Sequence, residues 1–243
     1  MRQKIKTNYS INFTLPKRSK KKIKFIIIHY TGMKKESAAL KKLCDEKANV
    51  SAHYFIKKNG ETINLVPDLY EAWHAGKSSW KKKNNLNKSS IGIEIHNRGH
   101  QHGYEKFTSK QINSLKQLLK RLIKLYKIDI NNILGHSDIA PSRKKDPGEK
   151  FPWKILAKNN LAKWHTLDEN KLKKDRSIRL NNLEENKFLK NLYSIGYDRI
   201  KKVNYNSSKK NLFKSFQRKF RQSLIDGKSD KECLLISKNL LKS

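Results

Sequence analysis

The segment from Gly135 to Trp153, GHSDIAPSRKKDPGEKFPW, narrows most what this chain can become. Pro141, Pro147 and Pro152 remove backbone donors and fix φ, so neither a helix nor a central strand can run through it. A segment this broken holds side chains in a rigid loop. Among them are His136 and Asp146, types that bind a borderline metal such as zinc, presented on a backbone that Pro141 and Pro147-Gly148 restrict. Any third ligand must come from elsewhere in the chain. On composition alone the segment would serve equally as a polar surface loop with an N-capping aspartate.

The preceding sequence favours a site. Phe25 to His29, FIIIH, is a short continuous apolar run, the pattern of a strand buried on both faces. It closes on His29, where sheet proteins place chemistry, although a lone histidine there can also be a hydrogen-bonded core residue. VSAHYFI and ETINLV form a hairpin around Asn59-Gly60, and His53, beside Tyr54 and Phe55, reads as a structural or supporting residue. Ala72 to Trp80, AWHAGKSSW, is a loop whose Trp73, His74 and Trp80 suit stacking on a sugar face or packing a peptide, or else a hydrophobic plug. Lys81 to Ser90 is a polar surface loop. Ile91 to Ile95, IGIEI, alternates, so Gly92 and Glu94 share one face. Glu94 is then a lone acid in an apolar strand, either part of a structural network or a general base whose pKa burial raises.

Ser37 to Lys47 has helical spacing. Thr108 and Gln111 form a capping box before Ile112, Leu115, Leu119, Leu122 and Tyr126, an amphipathic helix. Ile130 to Leu134 is one more strand, and Pro152 opens a helix expected to end near Trp164. Strands and helices interleave up to about residue 165, which predicts an α/β fold with a central mixed sheet flanked by helices. Residues 1–22 read as a basic leader, 23–165 as the main α/β domain and 166–179, polar and without periodicity, as a linker. Leu183 to Tyr193, Lys209 to Phe220 and Ser229 to Leu241 follow as a three-helix module within 180–243, too small a core to be more than marginal alone.

With 243 residues and 36% hydrophobic side chains the chain can bury a real core. Its 56 Lys+Arg against 21 Asp+Glu give +35, which would attract nucleic acid, anionic lipid or an anionic wall polymer. The lysines run from end to end with many Asn and Ile, a pattern that compositional bias also produces. They gather into no nucleic-acid reading motif, so no nucleic-acid partner is expected. The first 25 residues hold no signal-peptide core, and nothing approaches the ~18–20 apolar residues of a membrane span. The expectation is therefore cytoplasmic, with unrecognised export to the envelope as the alternative. Cys44 and Cys233 lie far apart and are expected to be reduced thiols.

FIIIHYT, VSAHYFI, AWHAG, IGIEIHNRG and GHSDIAPSRKKDPGEKFPW, in this order, resemble the zinc-dependent type 2 N-acetylmuramoyl-L-alanine amidases, in their AmpD and AmiD branch, over residues 23 to 165. The tail, with LYSIGYD, LFKSFQRKFR and IDGKSDKE, looks like the peptidoglycan-binding helical module of that branch, with its glycine pattern reduced to Asp226-Gly227. The resemblance implies one zinc held by His29, His136 and Asp146. Glu94 is implied as general base and Lys144 as the cation that stabilises the oxyanion. Trp73, His74, Asn97 and Arg143 are expected along the substrate groove. The implied reaction hydrolyses the amide between N-acetylmuramic acid, anhydro form included, and L-alanine, on intact wall or on recycled fragments. A peptidoglycan-binding protein of the same fold without catalysis would be expected to lack a zinc ligand, and here none is missing. A monomer is assumed.

Overall fold

The computed structural model describes residues 5–200 and 203–242. Ten strands occur among them: β1 (Ile5–Thr7), β2 (Phe13–Thr14), β3 (Phe25–Tyr30), β4 (Tyr54–Ile56), β5 (Thr62–Asn64), β6 (Glu71–Ala72), β7 (Ser79–Trp80), β8 (Lys83–Asn84), β9 (Ser90–Ile95) and β10 (Ile133–Gly135). The helices are α1 (Glu36–Cys44), α2 (Ser109–Tyr126), α3 (His136–Ile139), α4 (Trp153–Lys158), α5 (Glu169–Leu172), α6 (Asn182–Ile195), α7 (Tyr205–Phe220) and α8 (Lys231–Lys242). Six strands form one mixed sheet in the order β1-β5-β4-β9-β3-β10. Every neighbouring pair is parallel except the β4–β5 hairpin, which turns through Asn59-Gly60 as expected.

Strand alternation sorts the sheet into two cores. Ile26 and Ile28 of β3 and Ile91, Ile93 and Ile95 of β9 face α2, whose Ile112, Leu115, Leu118, Leu119 and Leu122 pack onto them. Each such leucine contributes about 1.5–3 kcal/mol by leaving water. The capping box that starts α2 is present: Thr108 N donates to Gln111 Oε1 (2.9 Å) and Gln111 N to Thr108 Oγ1 (3.1 Å). Lys127, in the left-handed conformation, ends the helix.

Phe25, Ile27 and Leu134 point to the opposite face. What covers them is the C-terminal helices, through Phe188, Leu192, Phe213, Phe216 and Ile236. The expected boundary near residue 165 therefore does not separate two cores, because the three helices supply the second layer over the six-stranded sheet. Residues 166–179 are also not a free linker. Asp168 caps α5, and Leu172 is buried in the same cluster. The expected basic leader is likewise built in where it is described: β1 pairs with β5, β2 pairs with β6, and the buried Arg18 donates to the Asn87 and Asp68 carbonyls. The helix opened by Pro152 stops at Lys158, well before Trp164, as Asn160 turns left-handed. His53 precedes β4 and accepts from Gly92 N at Nδ1 (2.9 Å), the structural role anticipated for it. Both cysteines are free thiols, and among the described residues no helix is long and apolar enough to cross a membrane.

Candidate metal and catalytic site

Three adjacent parallel strands end at one edge of the sheet, the place where open α/β sheets gather ligands. His29 sits near the end of β3, and the β3–β9 register sets it directly opposite Glu94. His136 follows β10 as the first residue of α3. Asp146 returns to the same point because Ser137 N donates to its carbonyl (2.8 Å) and Pro147 packs on Gly135. A Cβ at Gly135 would stand 2.7 Å from Pro147 Cδ, so only glycine permits that approach.

The outcome is a triangle. His29 Nδ1 and His136 Nδ1 are 2.9 Å apart, and each lies 3.1 Å from Asp146 Oδ2. All three are buried. His136 Nε2 lies 3.1 Å from the Ala75 carbonyl, to which it can only donate; Arg143 Nη2, farther off at 3.4 Å, is committed to the Ala75 and Lys77 carbonyls, so the lone pair of His136 is left on Nδ1 facing the triangle. Two imidazole nitrogens and a carboxylate oxygen converge with too few protons to satisfy one another, and this donor set and spacing fit a zinc-type cation with a position left open.

The electrostatics agree. Burial, with His136 adding to it, lowers His29 to about 4, so its ring is neutral at neutral pH. Burial would raise the Asp146 carboxyl, but the charge and hydrogen bonds of His136 and His29 outweigh it and hold Asp146 below the usual carboxylate range. Glu94 moves the other way. Burial, helped by the Asp146 carboxylate and opposed by Lys144, raises it to about 8. Its Oε2 is shut off from solvent and meets no hydrogen-bond donor among the described residues. A dication in the triangle would draw that carboxyl back towards its ionised form.

A cleft of 410 Å³ opens over the triangle and is lined by Glu94, Lys144, Trp73 and Arg143, all expected there. Trp73 is pinned by Nε1 donating to Thr14 Oγ1 (2.8 Å), and Arg143 Nη2 holds the Ala75 and Lys77 carbonyls (2.8 Å each). Two expected groove residues are differently employed. His74 touches the cleft wall, but both ring nitrogens are engaged, Nδ1 with His29 Nε2 (3.0 Å) and Nε2 with Ser90 Oγ (3.1 Å), which leaves none for a substrate. Asn97 is buried away from the cleft. It accepts from Gly99 N (3.0 Å) and donates to the Glu105 carbonyl (2.9 Å), bracing the loop after β9. Sequence reasoning missed Tyr30 and His100 on the cleft rim, where Tyr30 OH donates to His100 Nδ1 (2.8 Å) and His100 Nε2 to Glu149 (3.1 Å). The tyrosine immediately after His29 was the available signal.

The sequence profile described as N-acetylmuramoyl-L-alanine amidase (Amidase_2) matches residues 19–149, a span that contains the whole triangle. The chain belongs to this amidase family. The amidase is 34% identical to N-acetylmuramoyl-L-alanine amidase AmiD of Escherichia coli K12 over 232 residues, 90% of this chain and 83% of the relative. It is 41% identical to 1,6-anhydro-N-acetylmuramyl-L-alanine amidase AmpD of Citrobacter freundii over 106 residues, 43% of this chain and 54% of that one. Its fold superposes on E. coli AmiD in complex with anhydro-N-acetylmuramic acid-L-Ala-D-γ-Glu-L-Lys with a TM-score of 0.81 at 33% identity, covering 94% of this chain and 92% of that one. Pseudomonas aeruginosa AmpDh3 in complex with anhydromuramic pentapeptide gives a TM-score of 0.78 at 31% identity, with 94% of each chain covered. The match to AmiD spans the C-terminal helices too, consistent with their place in the core.

Proposed function

We propose that this amidase binds one zinc ion per chain at His29, His136 and Asp146 and hydrolyses the amide between N-acetylmuramic acid, including its 1,6-anhydro form, and L-alanine. The observation that carries the reading is the buried triangle of two imidazoles and one carboxylate with Glu94 beside it at the floor of a cleft. The anhydromuropeptides bound to AmiD and AmpDh3 support the substrate class. When bound, zinc supplies Lewis acidity to a carbonyl and to water. Glu94 accepts a proton from the attacking water and returns it to the leaving alanine nitrogen, so one carboxyl serves as base and then as acid. The Lys144 ammonium offsets the negative charge that develops on the carbonyl oxygen. Trp73 offers an aromatic face to the sugar.

Helices α6 to α8, with an open groove bordered by Glu185, Lys209 and Ser229, are proposed as the part that meets polymeric wall. We also propose a monomer in the cytoplasm acting on recycled fragments, with export to the envelope as the alternative in which those helices would meet intact wall. Cell fractionation that finds it in the envelope would move it to intact wall. The decisive experiment pairs zinc analysis of the purified protein with mass spectrometry of products from anhydromuropeptides and from sacculi. Release of the free stem peptide together with one zinc per chain is expected. Tight muropeptide binding without cleavage would favour a recognition protein instead.

A further inference from the structure

A hydrogen-bond chain behind the triangle has a fixed direction. Ser90 Oγ donates to the Leu86 carbonyl (2.6 Å), so its oxygen accepts from His74 Nε2 (3.1 Å). His74 then has its proton on Nε2 and an acceptor lone pair on Nδ1, which faces His29 Nε2 at 3.0 Å. His29 Nε2 must therefore carry a proton, and its Nδ1 turns a lone pair to the triangle. The next residue does the same for the other imidazole, since the Ala75 carbonyl accepts from His136 Nε2. Asn87 clips the pair in place, its Oδ1 accepting from both His74 N (3.2 Å) and Ala75 N (2.8 Å). Room for the His74 ring comes from Gly92 in β9, where a Cβ would stand 2.4 Å from His74 Cγ.

We infer that His74 and Ala75, clipped by Asn87 and anchored through Ser90 to the Leu86 carbonyl, are the positioning element that sets the tautomer of both histidine ligands. The inference rests on the reading of the triangle as a zinc site. It also explains why the histidine of AWHAG stands beside the metal residues without being one of them. A histidine free to place its proton on either nitrogen spends part of its time with Nδ1 blocked, and a ligand held in one tautomer does not.

Two measurements on the full chain test this. Long-range ¹H–¹⁵N spectra of the metal-free protein read each imidazole's tautomer, and competition with a chromogenic chelator reads zinc affinity. Both ligand histidines are expected to carry the proton on Nε2. His74→Phe, which keeps a ring but no nitrogen, should give His29 a mixed tautomer and weaken zinc binding about 10- to 100-fold. His74→Asn restores an acceptor at the δ position and should recover most of that loss, which a role in packing alone would not produce. Ser90→Ala removes only the anchor and carries the test if His74→Phe does not fold. It should mix the His74 and His29 tautomers. Wild-type His29 or His136 protonated on Nδ1, or folded His74→Phe with unchanged zinc affinity, would overturn the inference. Wild-type protein with both Nε2–H tautomers and no stoichiometric zinc would support the positioning element and overturn the zinc reading instead.

Discussion

His29 and His136 are the same residue type and meet at 2.9 Å, yet different parts of the chain hold them. His29 belongs to the sheet, with β9 and β10 paired on either side of β3 and the His74 contact behind it. His136 sits on the four-residue α3, whose supports come from far along the sequence. Lys219 Nζ reaches Asp138 Oδ2 (3.2 Å) and the Ile133 carbonyl (3.0 Å), Tyr197 OH donates to Asp138 Oδ1 (2.9 Å), and Ser215 Oγ donates to the Ser137 carbonyl (2.7 Å). The first ligand is secured by the layer that forms the site. The second depends on helices that a reading by domains would treat as an accessory. The proposed zinc binding would therefore report on the C-terminal helices as much as on the sheet.

The strongest way to break this contrast is to remove residues 180–243. Phe25, Ile27 and Leu134 would then face water and α3 would lose its supports, so we expect an aggregating or molten chain without zinc, seen by near-UV circular dichroism and metal analysis. A soluble, zinc-loaded fragment would show that the helices are dispensable for His136. Lys219→Met is the next test. It strands Asp138 in the interior and should cost about 3–5 kcal/mol in denaturant unfolding, as for one partner removed from a buried pair. Zinc affinity should fall while the His29 tautomer stays unchanged. Adding Asp138→Asn should return part of the stability.

On the His29 side, Glu94→Gln removes the proton acceptor without touching a ligand. Turnover of anhydromuropeptide should drop about 100-fold or more with zinc retained, and undiminished turnover would put the base elsewhere. The most gradual effect is in pH. In the metal-free protein Glu94 titrates near 8, against 4.5 for the ordinary group. Between those values the folded state binds the extra proton. Stability therefore falls as pH rises through that window, by at most about 1.4 kcal/mol per pH unit. The Glu94→Gln protein should lack this slope, which melting curves from pH 5 to 8 can check.

Much of the sheet was legible because alternation encodes which face a residue takes. IGIEI placed Gly92 and Glu94 on one face and FIIIH closed a buried strand on His29, and the register then set Glu94 beside His29. That His136 and Asp146 of the proline-broken segment converge was legible because few backbones are so restricted. What covers the second face was not legible, since an amphipathic helix shows that it has an apolar stripe and not where the stripe goes. Lys219 illustrates this: within KSFQRKF it reads as one more solvated lysine, yet it is buried against Asp138 and 4.5 Å from the Trp153 ring. His74 and Asn97 were expected to meet substrate because they lie in motifs, AWHAG and IGIEIHNRG, that carry the family resemblance. Their hydrogen-bond partners are backbone groups and neighbouring side chains, which no spacing rule reveals. The leader was misread because a three-residue edge strand leaves almost no periodic signal.

The covering of the sheet by α6 to α8 also orders events during synthesis. The ligand residues emerge from the ribosome roughly 100 residues ahead of α8, whose Cys233, Leu234 and Ile236 complete the second core. At ~5–20 residues per second this leaves an interval of about 5–20 s in which the ligand residues exist but their supports do not. The supports of His136 are therefore expected to be complete only when the last helix docks, and refolding of a chain stopped before α8 checks this.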